Sequence, residues 1–514
     1  MNIGKNHAPP LQSGWAALAA RNDAALRLTA GLALIAMLAG CAAGPDFERP
    51  APPVSEAYSA HADNTLVTPV PSAVDSAQRV GPGMPVAAQW WHGFGSARLD
   101  ALIADGLEHS PTLAAAQATL RQAQELRQAR AGSTQLPQAE IAASAQRQRF
   151  NPGSLGQDLT PREFSLYNTG VTVSYNLDPA GGNRRAIEAL AARADTRQFE
   201  LQAARLTLAG NIATAAFARA QIAAQIESTT ALIANQEEQR DIARARLRLG
   251  NAAADEVLAL DTQTEQLRAE LPVLNQRLAE TEHLLATLAG RAPGQGNIPD
   301  FALSEFTLPQ DLPLVVPSQL VRQRPDILAA EAMVHAANAD YGVAVAQMYP
   351  QLNLSATLGT QALTADALFG GQSTIWNIIG RLTQPLFNPG LTNEKRAALA
   401  GFDAATAHYK GVVLDGLRDV ADVLVAVDTN ARALAAQTSA ADAAQETLAT
   451  MQRRHTLGAA SYAQVLIAAQ QAERAQLAVI AARADRLTNS AAFYVAMGVD
   501  GDRGDGPVPP EAME

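Results

Sequence analysis

Residues 246–258 read RLRLGNAAADEVL and residues 454–466 read RHTLGAASYAQVL, with Arg246/Arg454, Leu249/Leu457, Gly250/Gly458, Ala252/Ala460, Val257/Val465 and Leu258/Leu466 identical in register. In each stretch a glycine interrupts a helical pattern just after basic residues, Arg246 and Arg248 in the first, Arg453 and Arg454 in the second. Glycine tolerates the left-handed backbone that ends a helix, and cations are favoured in a last helical turn by the helix dipole. Each stretch therefore reads as the tip of a helical hairpin, and the chain contains it twice, 208 residues apart.

Two further pairs repeat at nearly the same spacing. SPTLAAAQATLRQA from Ser110 aligns with RPDILAAEAMVHAA from Arg324, and NLDPAGGN from Asn176 aligns with LFNPGLTN from Leu386. Three matches in one order argue for two homologous halves, each running helix, strand pair, long helix, turn, long helix. From Gly182 to Leu249 there is no proline, and apolar residues recur at Leu201, Leu208, Ile212, Ala215, Ile222, Ile226 and Ile233. That spacing suits coiled-coil-like packing, and some 67 residues of continuous helix would make a rod of roughly 100 Å. A second rod is expected from about Leu391 to Leu457, with returning helices at 255–290 and 461–498.

The strands show the other period. Tyr167, Thr169, Val171, Val173, Tyr175 and Leu177 alternate with Asn168, Gly170, Thr172, Ser174 and Asn176, and Leu352, Leu354, Ala356 and Leu358 alternate with Asn353, Ser355, Thr357 and Gly359. Strands are expected at about 139–150, 164–177, 352–362 and 374–387. Each is close to the length a tilted strand needs to cross a bilayer. Four strands cannot close a barrel, and open edges are not viable in hydrocarbon, so either the sheet is soluble with one buried face or several protomers share one barrel. Three protomers would supply twelve strands.

Composition narrows the class. Hydrophobic residues make up 48% of the 514-residue chain but aromatics only 5%, so alanine supplies much of the apolar fraction, in keeping with long, closely packed helices. A formal charge of -11 argues against a nucleic-acid partner. The sole cysteine, Cys41, excludes an intramolecular disulfide and multi-cysteine metal sites. It follows Arg21, Arg27 and the apolar run LTAGLALIAMLAGC, too short to span a bilayer comfortably but suited to a signal-peptide core. Leu38-Ala39-Gly40-Cys41 resembles a bacterial lipobox, so residues 1–40 are expected to be removed and Cys41 to carry lipid of the palmitate class. Ala42 puts no acidic inner-membrane retention signal after it, which points to the outer membrane.

Several blocks resemble the TolC-like outer-membrane efflux channels, and more closely their lipoprotein branch, which serves resistance-nodulation-division pumps. These are CAAGPDFERP (41–50), WWHGFGSARLDALI (90–103), RPDILAAE (324–331), AANADYGVAVAQMYPQLNLSATLG (336–359) and QPLFNPG (384–390). The resemblance implies a mainly helical fold with a small transmembrane β part: duplicated αββαα halves, four strands per protomer, and a homotrimer whose twelve-stranded barrel continues into a helical tunnel. The organisation it implies is a signal peptide at 1–40, an N-terminal anchor and equatorial segment at 41–95, a first repeat at 96–290, a linker and equatorial segment at 291–317, a second repeat at 318–498, and a flexible tail at 499–514.

The function implied is passive conduction of drugs or other small solutes, as in antibiotic resistance, from an inner-membrane pump and a periplasmic adaptor to the exterior. The alternatives are a type I secretion channel of the same fold and a lipid-anchored coiled-coil structural protein without a pore. No HExxH, GxSxG or P-loop occurs, so neither an enzyme nor a cofactor or metal site is expected. By the same resemblance, Arg246, Leu249, Gly250, Arg454, Leu457 and Gly458 would dock the adaptor. The family's usual gate acid, nine positions beyond the second tip glycine, is Ile467 here, and its usual leucine five positions beyond is Ala463. Acidic residues lie instead at Asp255, Glu256 and Asp261, which with Tyr462 and Ile467 form the candidate periplasmic gate. Arg324-Pro325-Asp326 is expected to start a helix, with proline in the first turn and the acid at the positive end.

Overall fold

Two long helical hairpins and two strand pairs alternate along the chain. The computed structural model describes residues 42–53, 57–58, 78–82, 89–152, 156, 160–295 and 297–498. The expected signal peptide at 1–40, the lipidation site Cys41 and the tail at 499–514 lie outside the described residues. In chain order the elements are β1 (Arg79–Pro82), a 3-10 turn at Trp90–Phe94, α1 (Ala97–His109), α2 (Pro111–Gln135), β2 (Gln138–Phe150), β3 (Arg162–Leu177), α3 (Gly182–Arg248) and α4 (Ala254–Leu288). They continue as β4 (Asp311–Leu314), α5 (Pro317–Leu320), α6 (Pro325–Ala346), β5 (Gln351–Ala362), β6 (Thr374–Thr383), α7 (Pro389–Thr456) and α8 (Tyr462–Ala496). The order α2-β2-β3-α3-α4 recurs as α6-β5-β6-α7-α8. The rods α3 and α7 hold 67 and 68 residues, roughly 100 Å each at 1.5 Å per residue.

The chain divides into two compact units. Among the described residues, one comprises 42–48, 124–193 and 334–404, and its centre is an antiparallel sheet in the order β2-β3-β5-β6. The middle pairing joins the two halves of the duplication, with Val171 opposite Leu358 and Thr172 opposite Thr357. β6 closes at Thr383, short of the 387 read from the apolar run. Pro385 has no N–H to offer a ladder, and the Gln384 side chain turns to the backbone, donating to Met348 O at 3.1 Å.

The other unit comprises the described residues of 49–123, 194–333 and 405–498, and it holds the main apolar core. Along α3, Ala209, Ala213, Ala216 and Ala220 repeat at steps of four and three and are all buried, a stripe narrow enough for neighbouring helices to approach closely. Larger rings fill the space beside it. Trp90 stacks on Tyr494 at 5.4 Å, Phe94 meets Phe217 at 4.9 Å, and Phe217 meets Phe306 edge-on at 4.9 Å. The WWHGF segment thus folds as a buried 3-10 turn, and Ser96 then caps α1 by accepting from Leu99 N at 3.2 Å while donating to Glu305 at 2.7 Å. β1 and β4 pair in parallel, with Arg79 opposite Asp311, which ties the segment before the first repeat to the one between repeats.

Arg324 does more than precede a helix. Pro325 opens α6, and Asp326 Oδ1 accepts from Ile327 N at 2.9 Å, as a first-turn acid should. The Arg324 guanidinium also donates to Asp326 at 2.9 Å, to Asp419 at 2.7 Å on α7, and to the carbonyls of Gly416 and Ala496 at 3.1 and 3.3 Å. It is a brace among the start of α6, the middle of α7 and the end of α8. Burial pushes the Asp419 carboxyl up, but hydrogen bonds from Arg324 and Arg418 outweigh it and hold the group below its ordinary value. A carboxyl depressed in the folded state stabilises above its unfolded pKa, and that stabilisation is lost as pH falls through the lower folded value. Thermal unfolding in detergent should therefore shift to lower temperature on acidification below about pH 4, the ordinary carboxyl range. Asp419→Asn should make that fall shallower, and an unchanged acid profile would exclude the brace as its source. Arg324→Met should destabilise the fold at neutral pH as well, by roughly 2 kcal/mol for the lost charged hydrogen bonds, and so lower the unfolding midpoint.

Candidate functional site

Two features of the structure carry surface chemistry that packing alone does not explain: the two faces of the four-stranded sheet and the paired hairpin tips. The sheet register lines up the apolar positions of all four strands. Ile141, Val171, Leu358 and Trp376 form one row, and Ala139, Val173, Ala356 and Ile378 form the next on the same face. Ile141 is 80% exposed, Trp376 72% and Ile378 73%. An exposed apolar surface of this continuity marks contact with lipid or with another chain.

The opposite face is polar and hydrogen-bonded across strands. Asn168 donates to Ser144 at 3.4 Å, Gln361 donates to Asn168 at 2.7 Å, and the Thr172 and Thr357 hydroxyls lie 3.1 Å apart. Such cross-strand pairs each add roughly 0.2–1 kcal/mol and suit a wet surface. β2 and β6 are the two edges of the sheet, so the ladder groups on their outer sides find no strand among the described residues.

The tips end in the same backbone motif. In the first, Gly250 has φ 73°, Gly250 N donates to Leu247 O at 3.0 Å and Asn251 N to Arg246 O at 2.8 Å. In the second, Gly458 has φ 72°, Gly458 N donates to His455 O at 2.9 Å and Ala459 N to Arg454 O at 2.8 Å. This is the Schellman arrangement, in which a left-handed glycine closes a helix and satisfies its last carbonyls. Leu249 and Leu457, one residue before each glycine, are 76% and 82% exposed.

The tips also touch each other. Arg246 Nη1 lies 3.3 Å from His455 Nε2, and because a guanidinium only donates, that nitrogen accepts while Nδ1 donates to Ala460 O at 3.1 Å. Tyr462 donates to Gln239 Oε1 at 2.5 Å and packs, with Leu466, against Val257 and Leu260. Burial, helped by the negative charge of Glu256, pushes the Tyr462 hydroxyl up to about 12, so it remains a neutral donor.

Of the acidic candidates, Asp261 pairs with Arg244 at 2.8 Å, and Glu256 is half-buried 3.9 Å from Arg246. Asp255 is exposed in the first turn of α4, and its carboxylate accepts from Glu256 N at 3.1 Å. Ile467 is 57% exposed, and Arg454 is exposed on the second tip. The sequence reading passed over His455 and Gln239. His455 sits inside the quoted repeat, so its place at the tip was visible, but its pairing with Arg246 depends on how the two hairpins lie side by side. Among the described residues no three His, Cys, Asp or Glu side chains gather as metal ligands, and no helix is long and apolar enough to cross a membrane.

Comparison with known proteins agrees with this geometry. The family described as "Outer membrane efflux protein" matches residues 102–291 and 316–499. The chain is 29% identical over 415 residues to the pyoverdine export outer membrane protein OpmQ of Pseudomonas aeruginosa, covering 80% of this chain and 87% of that one. It is 27% identical over 470 residues to the cation efflux system protein CusC of Escherichia coli O157:H7, covering 90% and 96%. The solved structure of the outer-membrane channel OprN superposes with a TM-score of 0.79 at 25% identity, over 89% of this chain and 99% of that one.

A side chain at Gly250 or Gly458 would meet no neighbouring atom within 4 Å, so substitution there isolates the cost of the left-handed backbone. Gly250→Ala and Gly458→Ala should each destabilise the tip by roughly 1–2 kcal/mol. Amide exchange should quicken near the substituted tip and stay unchanged in the sheet. A tip that exchanges like the parent would remove the capping role.

Proposed function

The chain belongs to the outer membrane efflux protein family, and we propose that, as an efflux channel of the outer membrane, it works as a homotrimer that forms one twelve-stranded barrel. The observation that carries this reading is the four-stranded sheet, with one apolar face, one polar face and two open edges. In hydrocarbon every backbone N–H and C=O must be paired, so β6 of one protomer closes on β2 of the next and three copies complete the ring. The apolar face meets lipid, and the Asn168, Thr172, Thr357 and Gln361 face lines water.

The hairpins form the periplasmic part of the duct, and its mouth docks a periplasmic adaptor that connects it to an inner-membrane resistance-nodulation-division pump. Docking falls on Arg246, Leu249, Gly250, Arg454, Leu457 and Gly458, where two exposed leucines project from well-capped turns. The duct is passive and takes what the pump delivers. In keeping with this, the names of the two relatives, pyoverdine export for one and cation efflux for the other, point to different cargoes. At the gate, Arg244 offsets Asp261 and Arg246 leans toward Glu256. Asp255 is then the gate acid without an ion pair among the described residues, and Tyr462 and Ile467 supply an apolar closure. Cys41 carries lipid that adds a second hold on the membrane.

Purified full-length protein should form detergent-resistant trimers with single-channel conductance in planar bilayers. A monomer without conductance would overturn the channel trimer. Leu358→Lys places a charge on the lipid face and should cost about 2–4 kcal/mol near the bilayer midplane, reducing the assembled fraction, whereas Thr357→Lys should assemble and shift ion preference toward anions. Leu249→Glu combined with Leu457→Glu should abolish efflux in cells with conductance in bilayers retained. Ile467→Asp should raise conductance and cation preference; a channel indistinguishable from the parent would remove Ile467 from the gate.

A further inference from the structure

Residues Ala42–Phe47, which directly follow Cys41, are held along their length by one compact unit. Ala43 N donates to Ala180 O at 2.7 Å, in the turn between β3 and α3. Arg185, in the first turn of α3, has a side chain only 4% exposed. Its Nε donates to Ala43 O at 3.3 Å, its Nη2 to Gly44 O at 3.5 Å and Asp46 at 2.6 Å, and its Nη1 to Glu188 at 2.8 Å. Asn338 Nδ2 donates to Pro45 O at 3.2 Å. The Phe47 ring stacks on His335 at 4.3 Å, and His335 Nε2 lies 2.8 Å from Glu188.

The backbone of this segment is fitted to its seat. Gly44 has φ 83°, and a Cβ there would stand 2.8 Å from the Gly342 Cα; a Cβ on Gly181 would stand 2.8 Å from the Ala42 Cα. Gly342, Asn338 and His335 are spaced by four and three residues on α6, one stripe of the helix, and all three face the segment. Burying a guanidinium is costly unless its donors are satisfied. Here Arg185 spends two contacts on carbonyls of the segment's backbone, which the first turn of α3 does not require.

We infer that Ala42–Phe47 is a docking strap that ties the lipid-bearing end of the chain to the turn after β3, with Arg185 as its positioning residue. The consequence for the membrane rests on Cys41 carrying lipid, but every atom that holds the strap belongs to the protein. A free tether of several residues would let lipid and sheet move independently. A docked one makes the acyl chains bear on the end of the sheet itself.

Hydrogen–deuterium exchange of the full-length protein in detergent, read by mass spectrometry, tests the strap. Peptides covering 42–47 should be protected in the parent protein. Gly44→Val and Arg185→Gln should each speed their exchange by roughly tenfold or more, with peptides of 164–177 unchanged. Arg185→Lys, which keeps the charge but not the fork that reaches two carbonyls, should fall between. Full exchange of 42–47 in the parent would overturn the strap, as would Gly44→Val leaving its protection intact. If Arg185→Gln quickened exchange only within 183–193, Arg185 would be a helix residue and not a positioning one. Intact mass reads the lipid separately, and its absence would overturn the lipid reading alone. Protein made without lipid, as Cys41→Ser behind a cleavable signal of the ordinary kind, should show the same protection; loss of protection there would mean that the membrane, not Arg185, holds the strap.

Discussion

The outer edges of β2 and β6 set the terms for everything else in this protein. A sheet of four strands leaves two rows of backbone N–H and C=O groups without strand partners among the described residues. In water those groups would be solvated; in hydrocarbon each would cost several kcal/mol. The apolar rows through Ile141, Val171, Leu358 and Trp376 put one face of this sheet toward an apolar medium, so solvation is not the way out for its edges. In the trimer proposed above, pairing with identical copies is, and it would explain how a chain so poor in strands serves as the wall of an outer-membrane channel.

Duplication follows naturally from that demand. One half supplies β2 and β3, the other β5 and β6, and the β3–β5 ladder that joins them uses the same alternation as the ladders within each half. The hairpins repeat with the strands, so each tip inherits the same cap, down to the arginine whose carbonyl accepts from the residue after the glycine. The copies have diverged in what they add to that frame. The first tip carries Asp255 and Glu256; the second carries His455 and Tyr462, which reach across to Arg246 and Gln239. Divergence between equivalent tips gives the two hairpins a specific interface, where identical tips could have offered only like against like.

Electrostatics in the structure is mostly local bracing. Arg324, Arg185 and Arg219 are each largely buried, and each joins segments far apart in sequence: Arg324 to Asp419, Arg185 to Asp46, Arg219 to Glu282 and Asp300. Arginine suits this task because its planar fork satisfies several acceptors at once. The shared RPD block is therefore a structural brace with a helix start built into it, which accounts for all three of its residues without a role in transport.

Much of this architecture was legible along the chain because it rests on local periodicity. Alternation at 167–177 and 352–358 marked strands, the proline-free stretch from 182 to 249 marked a rod, and Gly250 and Gly458 marked where rods end. Backbone sterics act over a few residues, so one sequence suffices to read them. The end of β6 was less legible, because an apolar run through Phe387 outlasts the ladder that Pro385 interrupts. Which side chains meet across the fold was not legible at all. Nothing in residues 42–47 names Arg185 or His335 as a partner, and nothing at 462 points to Gln239. Those contacts depend on the angle and register at which whole elements pack. The sequence by itself determined the elements, their order and their duplication; only the tertiary structure decided which charges are paired, which leucines stand exposed at the tips, and where the chain after Cys41 is held.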